Sequence, residues 1–265
     1  MSRGNAYQDI FVENKDRSMF LENLKKCVES HNLICHAYCL MNNHYHLLLE
    51  TLDGNLSQAM RDINGNYTQK FNARHKRIGH VLQGRYKALV VEKEVYLLEV
   101  ERYIVLNPVR AGIVDNPMEW KWSSYNATVG RVKAPIWLET KWTLRLFSNK
   151  IKEAQKQYKQ FIQFGIDSDS PLNNIKEGIV IGSPQFIDSI WEEFSDLEEL
   201  KEVKTSDRMI GRPSLEDVFS GVMNKKERDD VIKMARIRGA YSLTEIANYL
   251  NLHRSTVSKI FNKKK

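Results

Sequence analysis

The chain has 265 residues with 42% hydrophobic and 28% charged side chains, an ordinary composition for a globular protein with a substantial core. It contains no run of about 18 apolar residues and no signal-peptide-like start, so no membrane span is expected and a cytoplasmic location is predicted. The net charge of +7 and three cysteines without a C-x-x-C pair favour a polyanion partner and reduced thiols over a disulfide framework or zinc site.

Mixed α and β elements are predicted for residues 1–130. The apolar stripe of Phe20, Leu21, Leu24 and Val28 predicts a helix over residues 16–31. Strands are predicted at 33–41 and 44–50, helices at 56–73 and 94–107, and a strand at 85–92. Asn42-Asn43 suits a tight hairpin turn because asparagine tolerates the left-handed conformation, and Pro108 is expected to end the last helix.

The remainder of the chain is predicted to be helical, with a connector at 131–205 and a helix-turn-helix domain at 206–265 that begins near Gly211–Ser214. Helices are expected at 142–164, after Ser183-Pro184, at 226–238 before Gly239, after the capping box Ser242–Glu245, and at 254–262. A long helix, a short helix, a tight turn and a basic final helix form the helix-turn-helix pattern.

Positive charge is concentrated in two zones. Residues 224–265 carry 11 basic and four acidic side chains, and residues 61–87 carry seven basic side chains against the single acid Asp62. Two polyanion contacts are therefore predicted, although basic runs also occur as solvated helix faces.

His44-Tyr45-His46 is the first candidate for chemistry. Side chains alternate along a strand, so His44 and His46 share one face and Tyr45 lies on the other. Two imidazoles at this spacing can converge on one metal ion, or they can be a hydrogen-bonded pair of core histidines.

Tyr103 and Asn107 are the second candidate. They are four residues apart and share a helix face, so the Asn107 amide oxygen could be a third metal ligand while Tyr103 reaches a phosphate bound to that metal. Tyr96 is a rival nucleophile, but it precedes Asn107 by roughly 16 Å of helix and is interpreted as a core aromatic.

Four segments in this order resemble the REP-associated tyrosine transposases, which are single-tyrosine HUH nucleases. They are Tyr38–Thr51, Gly79–Lys87, Arg102–Ile113 and Trp122–Tyr125, and together they cover about the first half of the chain. The resemblance implies an α+β fold with a ferredoxin-like antiparallel sheet and helices, and a divalent metal, Mg²⁺ or Mn²⁺. It places the metal-binding histidines at His44 and His46, the polar third ligand at Asn107 and the nucleophile at Tyr103, which would form a 5′-phosphotyrosine on single-stranded or hairpin DNA.

Two sets of DNA contacts are predicted. Positive charge interleaved with rings suits an unpaired strand, and the candidates are Arg61, Tyr67, Arg74, Lys76, Arg77, Arg85, Tyr86 and Lys87. The last helix resembles the duplex-binding module of the replication-initiator and Trp-repressor class, and its candidates are Arg254, Ser255, Thr256, Ser258 and Lys259. Ile246, Leu250, Val257 and Ile260 are expected to form the small core of that domain.

The family's opening strand precedes the Arg-Gly-Asn element, which here is already Arg3-Gly4-Asn5. Either the start is misassigned or the sheet lacks this strand, and a missing strand would expose an edge beside the histidine strand and weaken the site. The leading hypothesis is a DNA transposase and nickase. The alternatives are a non-catalytic helix-turn-helix regulator with a decayed nuclease domain, and a metal phosphodiesterase that uses water as its nucleophile.

Overall fold

The structure is a computed structural model that describes residues 1–166, 180–195, 215–220, 224–237 and 241–262. The chain divides into two compact units: Met1–Ala88 with Leu98–Asp169, and Leu89–Leu97 with Ser170–Lys265. None of the helices in the described ranges combines the length and apolar character that a membrane span requires. The functional division at residues 130 and 205 remains a prediction.

An antiparallel sheet with helices forms the first unit and confirms the predicted α+β class. Its elements are β1 (Ser2–Arg3), α1 (Asn14–Ser30), β2 (Leu33–Leu40), β3 (His44–Thr51), α2 (Leu56–His75), most of α3 (Lys93–Arg110), α4 (Tyr125–Thr128), α5 (Lys141–Arg145) and α6 (Ile151–Phe164). Short 3-10 helices occur at Asn5–Tyr7 and Pro117–Glu119.

The strand order places β3 at the centre of the sheet. β3 pairs antiparallel with β2 on one side and with β1 on the other. Residues 81–87 continue the sheet beyond β1: Leu82 bridges Gly4 in antiparallel fashion, and the amides of Gln83 and Lys87 donate to the carbonyls of Arg3 and Met1. The regular sheet has three strands, and with residues 81–87 counted as its irregular edge the order of elements is β-α-β-β-α-β, that of the ferredoxin-like motif.

Aromatic packing holds α1 and α2 against one face of the sheet. Phe20, Tyr45, Tyr67 and Phe71 are fully buried, and the Phe20 ring lies 4.6 Å from the Tyr45 ring and 5.2 Å from the Tyr67 ring. Burying a side chain of this size contributes about 1.5–3 kcal/mol. The core therefore fixes β3 through Tyr45 and leaves the opposite face of the strand for the histidines.

Two local expectations are wrong. α3 continues through Pro108 to Arg110, because a proline in the last turn removes only the hydrogen bond to the Ile104 carbonyl. Neither Asn42 nor Asn43 adopts a left-handed conformation, although the hairpin forms and the amide of Met41 donates to the carbonyl of His44 at 2.9 Å.

Two predicted segments are divided in the structure. The helix expected at 142–164 is two helices, α5 and α6, with a break at residues 146–150. Within the strand expected at 85–92, Val90–Val91 forms a regular strand, and the amide of Lys87 bonds separately to the Met1 carbonyl.

Glu101 on α3 is a fully buried carboxylate. The hydroxyls of Tyr158 and Thr143 each donate to one of its oxygens at 2.9 Å. Burial raises the pKa of Glu101 to about 7, and the two hydroxyl donors lower it only in part. The folded protein therefore binds this proton more tightly than the unfolded chain does.

We expect Glu101→Gln to flatten the pH dependence of stability. The contribution of the protonated carboxyl is complete below about pH 4.5 and is lost as the pH rises through about 7, which amounts to about 3 kcal/mol. The free energy of unfolding, measured by denaturant titration from pH 4.5 to 8, should fall by that much more in the wild type than in the variant. Glu153→Gln, on the exposed face of α6, should behave like the wild type. Equal slopes for the wild type and Glu101→Gln would contradict this account.

The second unit contains a two-stranded parallel sheet and several helices. Its elements are β4 (Val90–Val91), β5 (Val180–Ile181), α7 (Pro184–Ser195), α8 (Leu215–Val218), α9 (Lys225–Ile237), α10 (Leu243–Tyr249) and α11 (Arg254–Asn262). The expected cap of α7 is confirmed, since the amide of Phe186 donates to the Ser183 hydroxyl at 3.3 Å. The predicted landmarks Gly211–Ser214 and Gly239 lie outside the described residues.

Three helices at the end of the chain pack around one small core. The capping box predicted for α10 is present, with Ser242 and Glu245 each accepting the other's backbone amide. Ile246 and Val257 are buried, and Leu250 and Ile260 pack against them, as the apolar pattern predicts.

Candidate active site

His44 and His46 lie on the face of β3 opposite the core. Their ring centroids are 5.1 Å apart and the rings are nearly perpendicular. Tyr45 points the other way, is fully buried, and its hydroxyl donates to the Asn64 side-chain oxygen and also lies within hydrogen-bond distance of the Ser2 hydroxyl. The strand alternation predicted from the sequence therefore brings the two imidazoles side by side.

Tyr103 lies against this histidine pair. Its ring centroid is 5.8 Å from that of His46, with an edge-to-face geometry. One turn further along α3, the Asn107 side-chain amide donates to the Tyr103 carbonyl at 2.8 Å. A carbonyl can only accept, so this bond turns the Asn107 Nδ2 towards the helix and leaves its Oδ1 to face elsewhere.

Both histidines are kept neutral. Burial is the largest of three effects that together lower the pKa of His44 to about 4, and the others are the charges of Arg3 and the N-terminal amine. Burial also lowers the pKa of His46 well below its ordinary value, with the same two charges contributing. A neutral imidazole keeps a lone pair, so at neutral pH both rings can act as metal ligands.

The Tyr103 phenol is in a partly buried, cationic environment. Burial raises its pKa overall, and the charge of Arg110, the Asn107 side chain and the charge of Arg3 offset only part of this rise. The Arg110 guanidinium carbon is 5.2 Å from the centre of the Tyr103 ring, within cation–π range. Positive charge at this point favours both a phenolate and a phosphate.

Arg3 and Arg110 are the site residues that sequence reasoning missed. Arg110 follows Tyr103 by seven residues, which is about two helical turns. Helix periodicity therefore predicts that both side chains lie on one face. Arg3 pairs directly with His44 in the β1–β3 register and therefore shares its face of the sheet. The position of Arg3 beside His44 depends on the pairing of β1 with β3, which the sequence around Arg3 does not predict.

The donor chemistry fits a divalent cation. Among the described residues no three His, Cys, Asp or Glu side chains converge on one point, so the histidine pair would need a further ligand of another type, and the predicted Asn107 amide oxygen is such a donor. Nitrogen and oxygen donors without a thiolate are compatible with Mg²⁺ or Mn²⁺.

Two of the residues predicted to contact DNA in the basic segment are engaged inside the protein instead. Tyr67 is fully buried and its hydroxyl bonds to the Ile10 carbonyl, so its ring cannot stack on a base. Arg74 is paired with Glu13 and Asp16, which neutralise its charge. Both departures arise because α2 turns this face towards α1.

The other predicted residues of this segment are more accessible. Tyr86 packs partly against the core, and its hydroxyl bonds to Ser57. The exposed basic side chains are Arg61, Lys76, Arg77, Arg85 and Lys87. Arg77 also bonds to Gln8 at 2.8 Å.

The predicted duplex-binding face is α11. Four of its candidates, Arg254, Ser255, Thr256 and Lys259, are exposed, and Ser258 is half-buried. Val257, on the opposite face of the helix, points into the core as predicted. One face of the helix thus packs and the other presents polar and basic groups.

Comparison with known proteins links the N-terminal part of the chain to one family. The model of the family described as "Transposase IS200 like" matches residues 5–107, a segment that contains His44, His46, Tyr103 and Asn107. None of the curated proteins compared with this chain matches it. One solved structure, "Structure of the REP associates tyrosine transposase bound to a REP hairpin", is 20% identical, with a TM-score of 0.40, over 52% of this chain and 81% of its own.

Proposed function

We propose, from the premise that residues 5–107 belong to the IS200-like transposase family, that this chain cuts and rejoins single-stranded DNA through Tyr103. The observation that carries the proposal is the contact of Tyr103 with His46, residues that are far apart in sequence and meet at the histidine pair. The family supports a DNA transposase or nuclease role. The nucleophile, the metal and the substrate form are parts of the proposal.

Tyr103 would supply the nucleophile. Its phenolic oxygen forms a bond to the scissile phosphorus as the 3′ oxygen leaves, giving a 5′-phosphotyrosine and a free 3′-OH. The phenol loses its proton in this step and the departing oxygen gains one. Because a phosphoester replaces a phosphoester, the 3′-OH of another strand can reverse the reaction and complete strand transfer.

The surrounding residues lower the barrier in two ways. Arg110 and Arg3 stabilise the phenolate and the charge that develops on the phosphate. A divalent cation held by His44, His46 and Asn107 would polarise the scissile phosphate.

The test uses the full chain, Mn²⁺ and a single-stranded hairpin DNA labelled separately at each end. A 5′-phosphotyrosine leaves the protein attached to the 3′-labelled fragment, while the 5′-labelled fragment is released. A denaturing gel should therefore show a shifted band with the 3′ label only. An adduct with the 5′ label would contradict the proposed polarity, and no adduct with either label would contradict the proposed activity.

The same chain is proposed to bind duplex DNA through α11. The exposed side chains of Arg254 and Lys259 and the basic balance of residues 224–265 support this contact. Duplex binding by a chain that forms no adduct would instead identify a non-catalytic regulator, which is the second candidate function.

We expect the double variant Arg254→Gln, Lys259→Gln to weaken duplex binding about tenfold. The slope of log K against log salt should become less steep by about two, because each lost phosphate contact removes about one unit. The control is Lys225→Gln, Lys226→Gln on the exposed start of α9, which removes the same charge. Equal losses in the two double variants would show a diffuse charge effect and exclude α11 as the contact.

A further inference from the structure

The turn before the histidine strand is fixed from both sides. The amides of Ile10 and Phe11 both donate to the Asn42 carbonyl at 3.0 Å. The Arg17 guanidinium donates to the Asn42 side-chain oxygen at 2.6 Å. The amide of Gly4 donates to the Asn43 carbonyl at 2.7 Å. The position of Asn43 is therefore determined by the N-terminal loop and α1.

The orientation of the Asn43 side chain follows from its two partners. Its Nδ2 donates to the Tyr7 carbonyl at 3.2 Å, and a carbonyl can only accept. The Asn43 Oδ1 is then the atom that faces His44 Nδ1, at 2.7 Å. An amide oxygen cannot donate, so Nδ1 must carry the hydrogen and donate to it.

The loop that presents the Tyr7 carbonyl is strained. Ala6 and Tyr7 have φ angles of 50° and 60°, a left-handed conformation that is uncommon for residues other than glycine. A Cβ at Gly4 would lie 2.0 Å from the Gln8 carbonyl oxygen, so only glycine fits where the loop begins. Strain of this kind costs about 1–3 kcal/mol per residue and tends to persist at functional sites.

We propose that Asn43 is a positioning residue that holds His44 in the Nδ1–H tautomer, so that Nε2 is the atom presented to a divalent cation. The tautomer follows from the hydrogen bonds alone, and its use in metal binding rests on the proposed function. Groups that orient a metal-binding imidazole through its second nitrogen commonly change metal affinity by about 10- to 100-fold.

The test compares two variants in the metal-free protein and with Mn²⁺ alone. Asn43→Asp keeps an acceptor oxygen beside Nδ1 but loses the donor to Tyr7. Asn43→Leu keeps the size and removes the acceptor. Long-range ¹H–¹⁵N spectra of the metal-free protein report which nitrogen of His44 is protonated, and titration with Mn²⁺ gives the affinity.

We expect His44 to be protonated at Nδ1 in the wild type and in Asn43→Asp. In Asn43→Leu we expect a mixture of tautomers and Mn²⁺ binding about 10- to 100-fold weaker. If Asn43 only supported the loop, Asn43→Asp should be at least as damaging as Asn43→Leu. It loses the bond to the Tyr7 carbonyl and places a carboxylate beside that carbonyl.

Protonation of wild-type His44 at Nε2 would overturn the proposal, and so would unchanged Mn²⁺ affinity in Asn43→Leu. The wild-type spectrum decides the first point even if Asn43→Leu does not fold. A correct tautomer with no DNA adduct would overturn the proposed nuclease activity and leave the role of Asn43 intact. An adduct together with His44 protonated at Nε2 would support the nuclease activity and overturn the role of Asn43.

Discussion

The Tyr103→Phe variant should form no covalent adduct with DNA, and its cleavage rate should fall by at least about 10⁴-fold, because no other group replaces a lost covalent nucleophile. The substitution removes one oxygen and keeps the ring that contacts His46 and Arg110. Folding and Mn²⁺ binding should therefore match the wild type. The measurement is the end-labelled adduct gel, with thermal unfolding recorded for the same preparation.

Tyr96→Phe is the matched control for this experiment. Tyr96 is on the same helix, seven residues before Tyr103, and is partly exposed. Its loss should leave adduct formation within about twofold of the wild type. Cleavage that persists in Tyr103→Phe without an adduct would identify water as the nucleophile, and an adduct that moves to Tyr96 would show that the assignment is wrong.

The second large effect is expected from His46→Gln. His46 is the imidazole in contact with Tyr103, and its neutral form is the proposed ligand. The metal is expected to contribute several kcal/mol of charge stabilisation in the transition state. Since about 1.4 kcal/mol corresponds to tenfold in rate, losing the metal should slow cleavage by about a thousandfold.

Mn²⁺ binding should be lost in His46→Gln together with cleavage. This result is expected if His46 is a metal ligand, whereas a residue that only shapes the site would leave Mn²⁺ binding intact. His80→Gln is the control, because it removes an exposed imidazole in the same unit. Calorimetric titration with Mn²⁺ reports binding without depending on activity. Full Mn²⁺ affinity in His46→Gln would remove His46 from the metal site, whatever the effect on cleavage.

Much of the site was predictable because its parts are local. The alternation of side chains along β3 places both histidines on one face, and Tyr45 in the core confirms it. The four-residue spacing of Tyr103 and Asn107 predicts a shared helix face, and the bond from the Asn107 amide to the Tyr103 carbonyl is consistent with it. These features depend on the geometry of one element at a time.

Burial was harder to predict than periodicity. Tyr67 and Arg74 are on the helix that the sequence indicates, but their contacts with Ile10 and Asp16 come from the chain start and α1. The helix end at Pro108 was also mispredicted. A proline in the last turn of a helix removes only one backbone hydrogen bond, so the helix continues past it.

By itself the amino-acid order determined which faces of β3 and α3 carry the candidate residues and which residue types could hold a metal or attack a phosphate, since these follow from side-chain periodicity within a strand or helix. Only the tertiary structure decided which cations surround the phenol and which nitrogen of His44 is open. Arg3 reaches the site through strand register, and Asn43 is oriented by the carbonyl of a strained loop. Both depend on pairings between distant segments, and such pairings leave no pattern in the local sequence.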